Sequence, residues 1–323
     1  MRIKGIAMAA VALAGAVAMG GELKPTAEEA VARETLAREL PRARLLWTRG
    51  DRIYHATLGR FEPRPVTDAK PKADGARWSP DGSRFLYVRN GKSVWTMSAD
   101  FADAREALPG AHDAFWTRDG QAITAIADDE YRVLKLDLDT GRTTVLYDAR
   151  QKPYNGQKIA QAAELDVTGR YLLVFRREPG HASEIVDLRK RRYIANRQLL
   201  RGDCAPAWSP DGSYVISTAR TGSRPVLRAD FDAAAGKLGE SRLFVGLSGL
   251  TKQRYYCHGE RVSNDGEWVA FDGLIFGGTA QRGRREIYLW RIGRPQESVV
   301  RFTFHTAEDM HPSLFVRDGR DRT

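Results

Sequence analysis

The sequence predicts an all-β chain folded as a six-bladed β-propeller. The first observation is a turn motif that recurs along the chain: Trp208-Ser209-Pro210-Asp211-Gly212-Ser213 has a near-duplicate in Trp78-Ser79-Pro80-Asp81-Gly82-Ser83. Looser copies run from Ala114 to Gly120, Ala163 to Gly169, Arg261 to Gly266 and Leu314 to Gly319. The second observation is spacing. The turn glycines fall at 82, 120, 169, 212, 266 and 319, and repeats of roughly 40–50 residues built from short strands are the signature of propeller blades. The third is that the two ends of the chain complete one another. Arg44–Arg49 and Arg52–Leu58 read as the second and third strands of a blade that lacks its first, while Ser313–Val316 reads as a first strand after which the chain stops. Joining them closes the ring and removes the open sheet edges an unclosed array would carry.

Before the ring, Arg2 and Lys4 precede an apolar run from Ile6 to Val17, and Ala16-Val17-Ala18 suits a cleavage site. This pattern reads as a signal peptide over residues 1–18, too short for a comfortable membrane span. An uncleaved anchor is the other reading, and no cysteine at the cleavage site points to a lipoprotein. The expected location is therefore periplasmic or secreted, with no membrane span after cleavage. Residues 19–43 form a linker in which Thr26 and Glu29 make a capping box. Ala32, Leu36 and Leu40 share one helical face and Pro41 ends the run. It reads as a short helix that packs on or tethers the propeller, or as a flexible spacer. The propeller takes residues 44–323.

Within the ring, third strands are legible at Ser93–Met97, Arg132–Leu136, Ser183–Leu188 and Glu286–Trp290, and an outer strand at Thr143–Leu146. The Trp-Ser-Pro-Asp-Gly turns, each followed by a β-run and a later Ile-Tyr-like strand, resemble the repeats of the TolB-like (WD40-like) β-propeller superfamily over roughly residues 44–320. The resemblance implies fold rather than activity. The same repeat occurs in periplasmic adaptors, in non-catalytic peptidase propellers and in some polyuronate lyases.

Candidate chemistry emerges from the repeat phase. The residues seven positions before each turn aspartate, or its Thr168 equivalent, are Asp74, His112, Gln161, Cys204, His258 and His311, in a chain with only 6 His. In a propeller this phase is the entry to the innermost strand, at the mouth of the central channel. His112, Gln161, His258 and His311 are the candidate ligands of a divalent transition metal; polar strand-entry turns are the plainer reading. The loops on the same face carry Arg49, Arg89, Arg176, Arg177, His181, Arg220, Arg224, Arg282, Arg284 and Arg285, interrupted only by Asp128-Asp129-Glu130. Interblade loops on this face add Lys152, Tyr154, Lys252, Arg254, Tyr255 and Tyr256. Clustered arginines favour carboxylate or phosphate, although some must simply solvate loops. Cys204 and Cys257 sit at nearly the same phase of adjacent blades, and either bridge or stay as buried thiols.

The net charge of +10 is a weak indication of an anionic partner. Arg189-Lys190-Arg191-Arg192-Tyr193 reads as a turn between outer strands, and no nucleic-acid partner is expected of an exported chain. Nucleophile-elbow, His-Glu-x-x-His and phosphate-loop patterns are all missing, and no length is left for a catalytic domain. The leading expectation is a non-enzymatic, monomeric module that binds an anionic ligand or protein segment on its mouth face. Its ligand-binding residues are expected among Asp74, His112, Gln161, His258, His311, Arg176, Arg220, Arg224, Arg284 and Arg285. The alternative, implied by the resemblance to propeller lyases that hold a metal through His and Gln, is a metal-dependent lyase or hydrolase acting on an acidic polysaccharide. There the metal acidifies a proton α to a uronate carboxylate and a base such as His258 or His181 removes it.

Overall fold

The computed structural model describes residues 21–154, 156–176, 182–194, 206–219, 222–276 and 284–317. The signal-peptide region, the sixth turn at Asp318-Gly319, and Arg177, His181, Cys204, Arg220 and Arg282 lie outside the described residues. The architecture is the expected one: six four-stranded antiparallel sheets arranged as blades. Blades 1 to 5 follow the chain, from 73–109, 111–148, 161–194, 207–245 and 255–301. Blade 6 is composite. Its innermost strand, Asp309–Phe315, pairs with Arg44–Arg49, and Arg52–Thr57 and Arg64–Pro65 follow outward.

The turn motif recurs because it satisfies its own polar groups. Ser79 Oγ donates to Asp81 Oδ1 at 2.6 Å and accepts from the Arg84 amide at 3.0 Å, while Asp81 accepts from the Ser83 amide at 3.0 Å. Ser209, Asp211 and Tyr214 repeat the pattern, as do Thr117 and Asp119. Gly212 takes φ +72°, which the turn demands and a side chain resists. The tryptophan of the motif stitches blades together. Trp116 Nε1 donates to the Arg77 carbonyl at 3.0 Å, and Trp208 Nε1 to the Glu164 carbonyl at 3.3 Å, each on the preceding blade.

No blade buries its faces alone. The apolar core consists of six clusters, one at each junction between neighbouring blades. Phe115, Ile126 and Val133 of blade 2 meet Ala163, Leu172 and Val174 of blade 3. Both faces of a sheet are thus buried, which explains why strands such as Ala122–Ala127 are buried at every position and show no polar alternation. The capping-box helix forms over Ala27–Glu39. It lies on the propeller's side, where Leu36 and Leu40 join the cluster between blades 5 and 6. Arg33 stacks on Phe61 at 4.6 Å.

Blade 6 is latched by a buried charge pair. Asp309, with no exposed surface, accepts from Trp47 Nε1 at 2.9 Å and from Arg49 Nε and Nη2 at 2.6 and 2.9 Å. Arg49 is therefore committed to ring closure and is not a mouth-face anion ligand. Asp309→Ala leaves a buried guanidinium without its partner, and is expected to cost about 3–5 kcal/mol in urea unfolding. Burial pushes the Glu286 carboxyl, beside Arg301, up to about 7 from an ordinary 4.5. The native chain then holds a proton that the unfolded chain has released, so stability falls as pH rises from about 4.5 through 7 and is level above. Unfolding midpoints measured between pH 5 and 8 should show this decline, and Glu286→Gln should flatten its share of it.

Candidate functional site

The inner strands of five blades are bulged where they enter the channel. The pairing register slips between Asp74 and Arg77, His112 and Phe115, Gln161 and Ala163, and His258 and Arg261, and again on Asp309–Phe315 where it passes Leu46 and Thr48. Each bulge contains a residue of left-handed backbone: Gly75, Asp113, Ala162, Gly259 and His311, with φ between +45° and +64°. Bulges twist a strand and re-aim its side chains. Here they turn the strand entries toward one space. His311 is the exception in phase, because its bulge begins one residue earlier than the others and the imidazole takes the place of a bulge side chain.

That space is a cavity of about 460 Å³ at the channel mouth, and Asp74, His112, Gln161, His258 and His311 all line it. Its cations among the described residues are Lys72, Arg77 and Arg261, and its carboxylates are Asp74 and Asp113. None of the expected loop arginines among the described residues lines it. Arg176 is buried, pairs with Glu184 and stacks on Tyr193. Arg224 stacks on Tyr256 at 4.8 Å, and Arg285 stands 3.7 Å from Asp272. Arg284 is partly exposed outside the cavity, and Arg89 stacks on Trp95. Arginine on these loops mostly finds aromatic faces and carboxylates nearby. Cys257 carries a buried free thiol, while Cys204 is outside the described residues.

On one wall of the cavity, His258 and His311 converge with Asp272. One ligand atom of each lies within 4.8 Å of the others. Asp272 is on the second strand of blade 5, directly opposite His258 in register, and it has about 1% exposure. Its Oδ2 accepts the His311 amide at 3.1 Å, which holds the strained bulge. Its Oδ1 is buried without a hydrogen bond among the described residues, with Arg285 Nη1 standing 3.7 Å away. His311 Nδ1 faces Asp74 Oδ1 at 2.8 Å, and Asp74 also accepts from Thr48 Oγ1 at 2.8 Å and from the Gly75 amide at 2.7 Å. Burial alone would raise the Asp74 carboxyl, but His311, Thr48 and Gly75 together hold it well below the usual carboxylate range. An ionised Asp74 fixes the His311 ring with Nε2 outward, which is how a carboxylate orients a metal-ligating imidazole.

The donor set of two imidazoles and a carboxylate suits a divalent transition metal with open positions for a ligand. Bonds of about 2.0–2.2 Å need the three side chains to draw together slightly. His112 and Gln161 line the same cavity but are not part of this trio. Asp272 escaped the sequence reading because the repeat phase concerned inner strands only. The available signal was a lone carboxylate inside the apolar run Trp268-Val269-Ala270-Phe271-Asp272. Arg77 and Arg261 escaped likewise. They share a phase, four positions before the turn aspartate, that was not compared between blades. A Cβ at Gly259 would stand 2.7 Å from Asp272 Oδ2, and the residue has φ +64°. Gly259→Ala is therefore expected to cost about 1–2 kcal/mol and to displace Asp272, measurable as a lowered urea midpoint together with weakened zinc binding.

No family model matches this chain, and no curated protein is similar to it. Solved structures are similar. TolB from Agrobacterium tumefaciens is 15% identical with a TM-score of 0.58, covering 84% of this chain and 91% of that one. A chain of a nidogen–laminin complex is 11% identical with a TM-score of 0.57, covering 84% and 98%. The β-propeller domain of Myceliophteria thermophila Cps50 (Swd1) is 16% identical with a TM-score of 0.54, covering 79% and 81%. No helix among the described residues is long and apolar enough to cross a membrane. At these identities the likeness is one of fold: the chain is a six-bladed β-propeller, and TolB and WD40-type propellers are among the structures it is similar to.

Proposed function

We propose that this protein is an exported binding module that holds an anionic ligand in its channel-mouth cavity, anchored by a divalent transition metal on His258, Asp272 and His311. The observation that carries the reading is the convergence of these three donors within 4.8 Å, two of them, His258 and His311, lining a cavity of about 460 Å³. A cavity of that size suits a small molecule or the tip of a larger one. The protein side of the site supplies binding and orientation. Asp74 sets the His311 ring, Asp272 supplies negative charge to the cation, and Gly259 leaves room for Asp272. When bound, the metal supplies a Lewis-acidic position for an oxygen of the ligand. Export follows from the apolar leader at residues 1–18 and places the module in the periplasm or outside the cell.

A second reading, a lyase acting on an acidic sugar polymer, is favoured by His112, an imidazole that lines the same cavity from blade 2, outside the trio, where a base could take a proton. Ultraviolet absorbance of unsaturated products from oligouronates tests it directly, and no product with Mn²⁺ added across several uronates ends it.

The binding reading is tested first by elemental analysis of the mature chain purified without chelator or histidine tag. About one Mn, Zn, Fe or Ni per chain is expected, lost in His258→Ala and in His311→Ala. Asp74→Asn should retain the fold and weaken the metal by about tenfold or more. A protein that stays metal-free after soaking in each ion would refute the metal anchor.

A further inference from the structure

A second cavity, of about 340 Å³, lies between blades 6 and 1 and shares no lining residue with the one at the channel mouth. Tyr87 and Arg89 are two positions apart on the strand Arg84–Arg89, so they share a face of blade 1. On that face Tyr87 and Met97 pack with Leu46 and Ile53 of blade 6, and Arg52 reaches the cavity from the blade 6 side. The loop 66–72 closes it. That loop is pinned by the Val66 amide on the Ile53 carbonyl at 2.8 Å, the Ile53 amide on Thr67 Oγ1 at 2.9 Å and the Asn90 amide on the Lys72 carbonyl at 2.8 Å.

The polar groups of this cavity are uncommitted. Tyr87 is about 2% exposed, yet its hydroxyl makes no hydrogen bond among the described residues. Arg52 has neither a side-chain hydrogen bond nor an ion pair there. Arg89 lies flat on Trp95 at 4.1 Å, which occupies a face of the guanidinium and leaves its in-plane donors open. Asp68 is the carboxylate of the lining, exposed at the rim and paired with neither arginine. Asp51, next to Arg52 in the chain, is answered by Lys72 at 3.8 Å. Burial pushes the Tyr87 phenol up, Arg89 pulls it down and Asp68 pushes it up again, so charges of both signs act on one hydroxyl without meeting each other.

We infer that the cavity between blades 6 and 1 binds a free α-amino acid with an uncharged, apolar side chain, its carboxylate on Arg52 and Arg89 and its ammonium on Asp68. Open guanidinium donors match a carboxylate, and the Tyr87 hydroxyl adds a donor from the buried side. A lone oxyanion leaves Asp68 unanswered, and a lone amine leaves the two guanidiniums so; a molecule carrying both charges on neighbouring atoms answers all three. Val66, Pro71 and Met97 line the remaining wall and suit an aliphatic side chain, and a cavity of this volume holds a small molecule of that size. The site is independent of the metal trio.

The test is calorimetric titration of the purified full chain with each common α-amino acid, in the presence of chelator so that the channel mouth holds no metal. An amino acid with an aliphatic side chain should bind best. The amine lacking its carboxylate and the acid lacking its ammonium should each bind at least about tenfold more weakly, and inorganic phosphate should compete poorly. Arg52→Met and Asp68→Asn should each lower affinity about 10–100-fold, and Tyr87→Phe about 3–10-fold. Arg52 and Asp68 have no partner to strand, so both variants are expected to fold with an unchanged urea midpoint. Four results overturn the site: no amino acid bound, a charged side chain in the tightest binder, the deaminated acid or phosphate binding as tightly as the amino acid, or full affinity in Arg52→Met or Asp68→Asn. Each of them leaves the metal-anchored reading of the mouth standing, because that reading is judged by metal content and this one by binding in chelator.

Discussion

The pairing of Asp309–Phe315 with Arg44–Arg49 is the constraint on which the rest depends. A propeller blade buries both faces against its neighbours, so an array that fails to close leaves two apolar faces in water. Closure here joins strands some 260 residues apart, and the buried Asp309 ties Trp47 and Arg49 across the seam. The same strand carries His311 two residues further on. Ring closure therefore delivers His311 to Asp74 of blade 1 and to His258 and Asp272 of blade 5. Stability and the candidate site share one strand, and a chain that opens at this seam loses both.

Much of this was legible because the repeat is self-satisfying. Ser or Thr, Asp and Gly in a fixed order close a turn by their own hydrogen bonds, and so the turn survives as a pattern even where the flanking strands drift. The spacing of those turns was enough for blade number, and the phase of the strand entries was enough to bring Asp74, His112, Gln161, His258 and His311 to one cavity. What the sequence did not show was the partner each described arginine meets. A loop arginine carries no information about whether its guanidinium meets solvent, an aromatic face or a carboxylate, and Arg49, Arg176 and Arg224 each met a partner of the last two kinds. Conversely, Arg77 and Arg261 sit in strands, where a bulge of one residue decides whether a side chain enters the channel or the interblade core. Beside Arg77 and Arg261 that slip comes with left-handed backbone at Gly75 and Gly259, and a glycine in a strand signals a bulge without saying where the following side chains will point.

The bulges also explain why carboxylates gather at the mouth. A bulge leaves an amide without a ladder partner, and a buried donor must be met. Asp113 meets the Ala162 amide and Asp272 meets the His311 amide, each from the preceding blade. These carboxylates thus have a structural duty before any functional one. The duty is asymmetric, because a carboxylate has two oxygens and a bulge amide needs one. In Asp113 the second oxygen is taken by Arg77. In Asp272 the second oxygen is left buried without a hydrogen bond, with Arg285 at 3.7 Å.

This difference between two carboxylates with the same duty, one on an inner strand and one on a second strand, separates scaffold from candidate site. Where Arg77 takes the second oxygen at blade 2, both oxygens of the carboxylate are consumed by the fold. At blade 5 the second oxygen has no hydrogen bond, only Arg285 at 3.7 Å, and two imidazoles gather at the same carboxylate, one of them already held by Asp74. A ring of repeated blades gives each such position the same backbone opportunity. The candidate site lies at a junction where the sequence supplies donors in excess of what the fold consumes. In this chain that junction is between blades 5 and 6, the same seam that the closing strand has to complete.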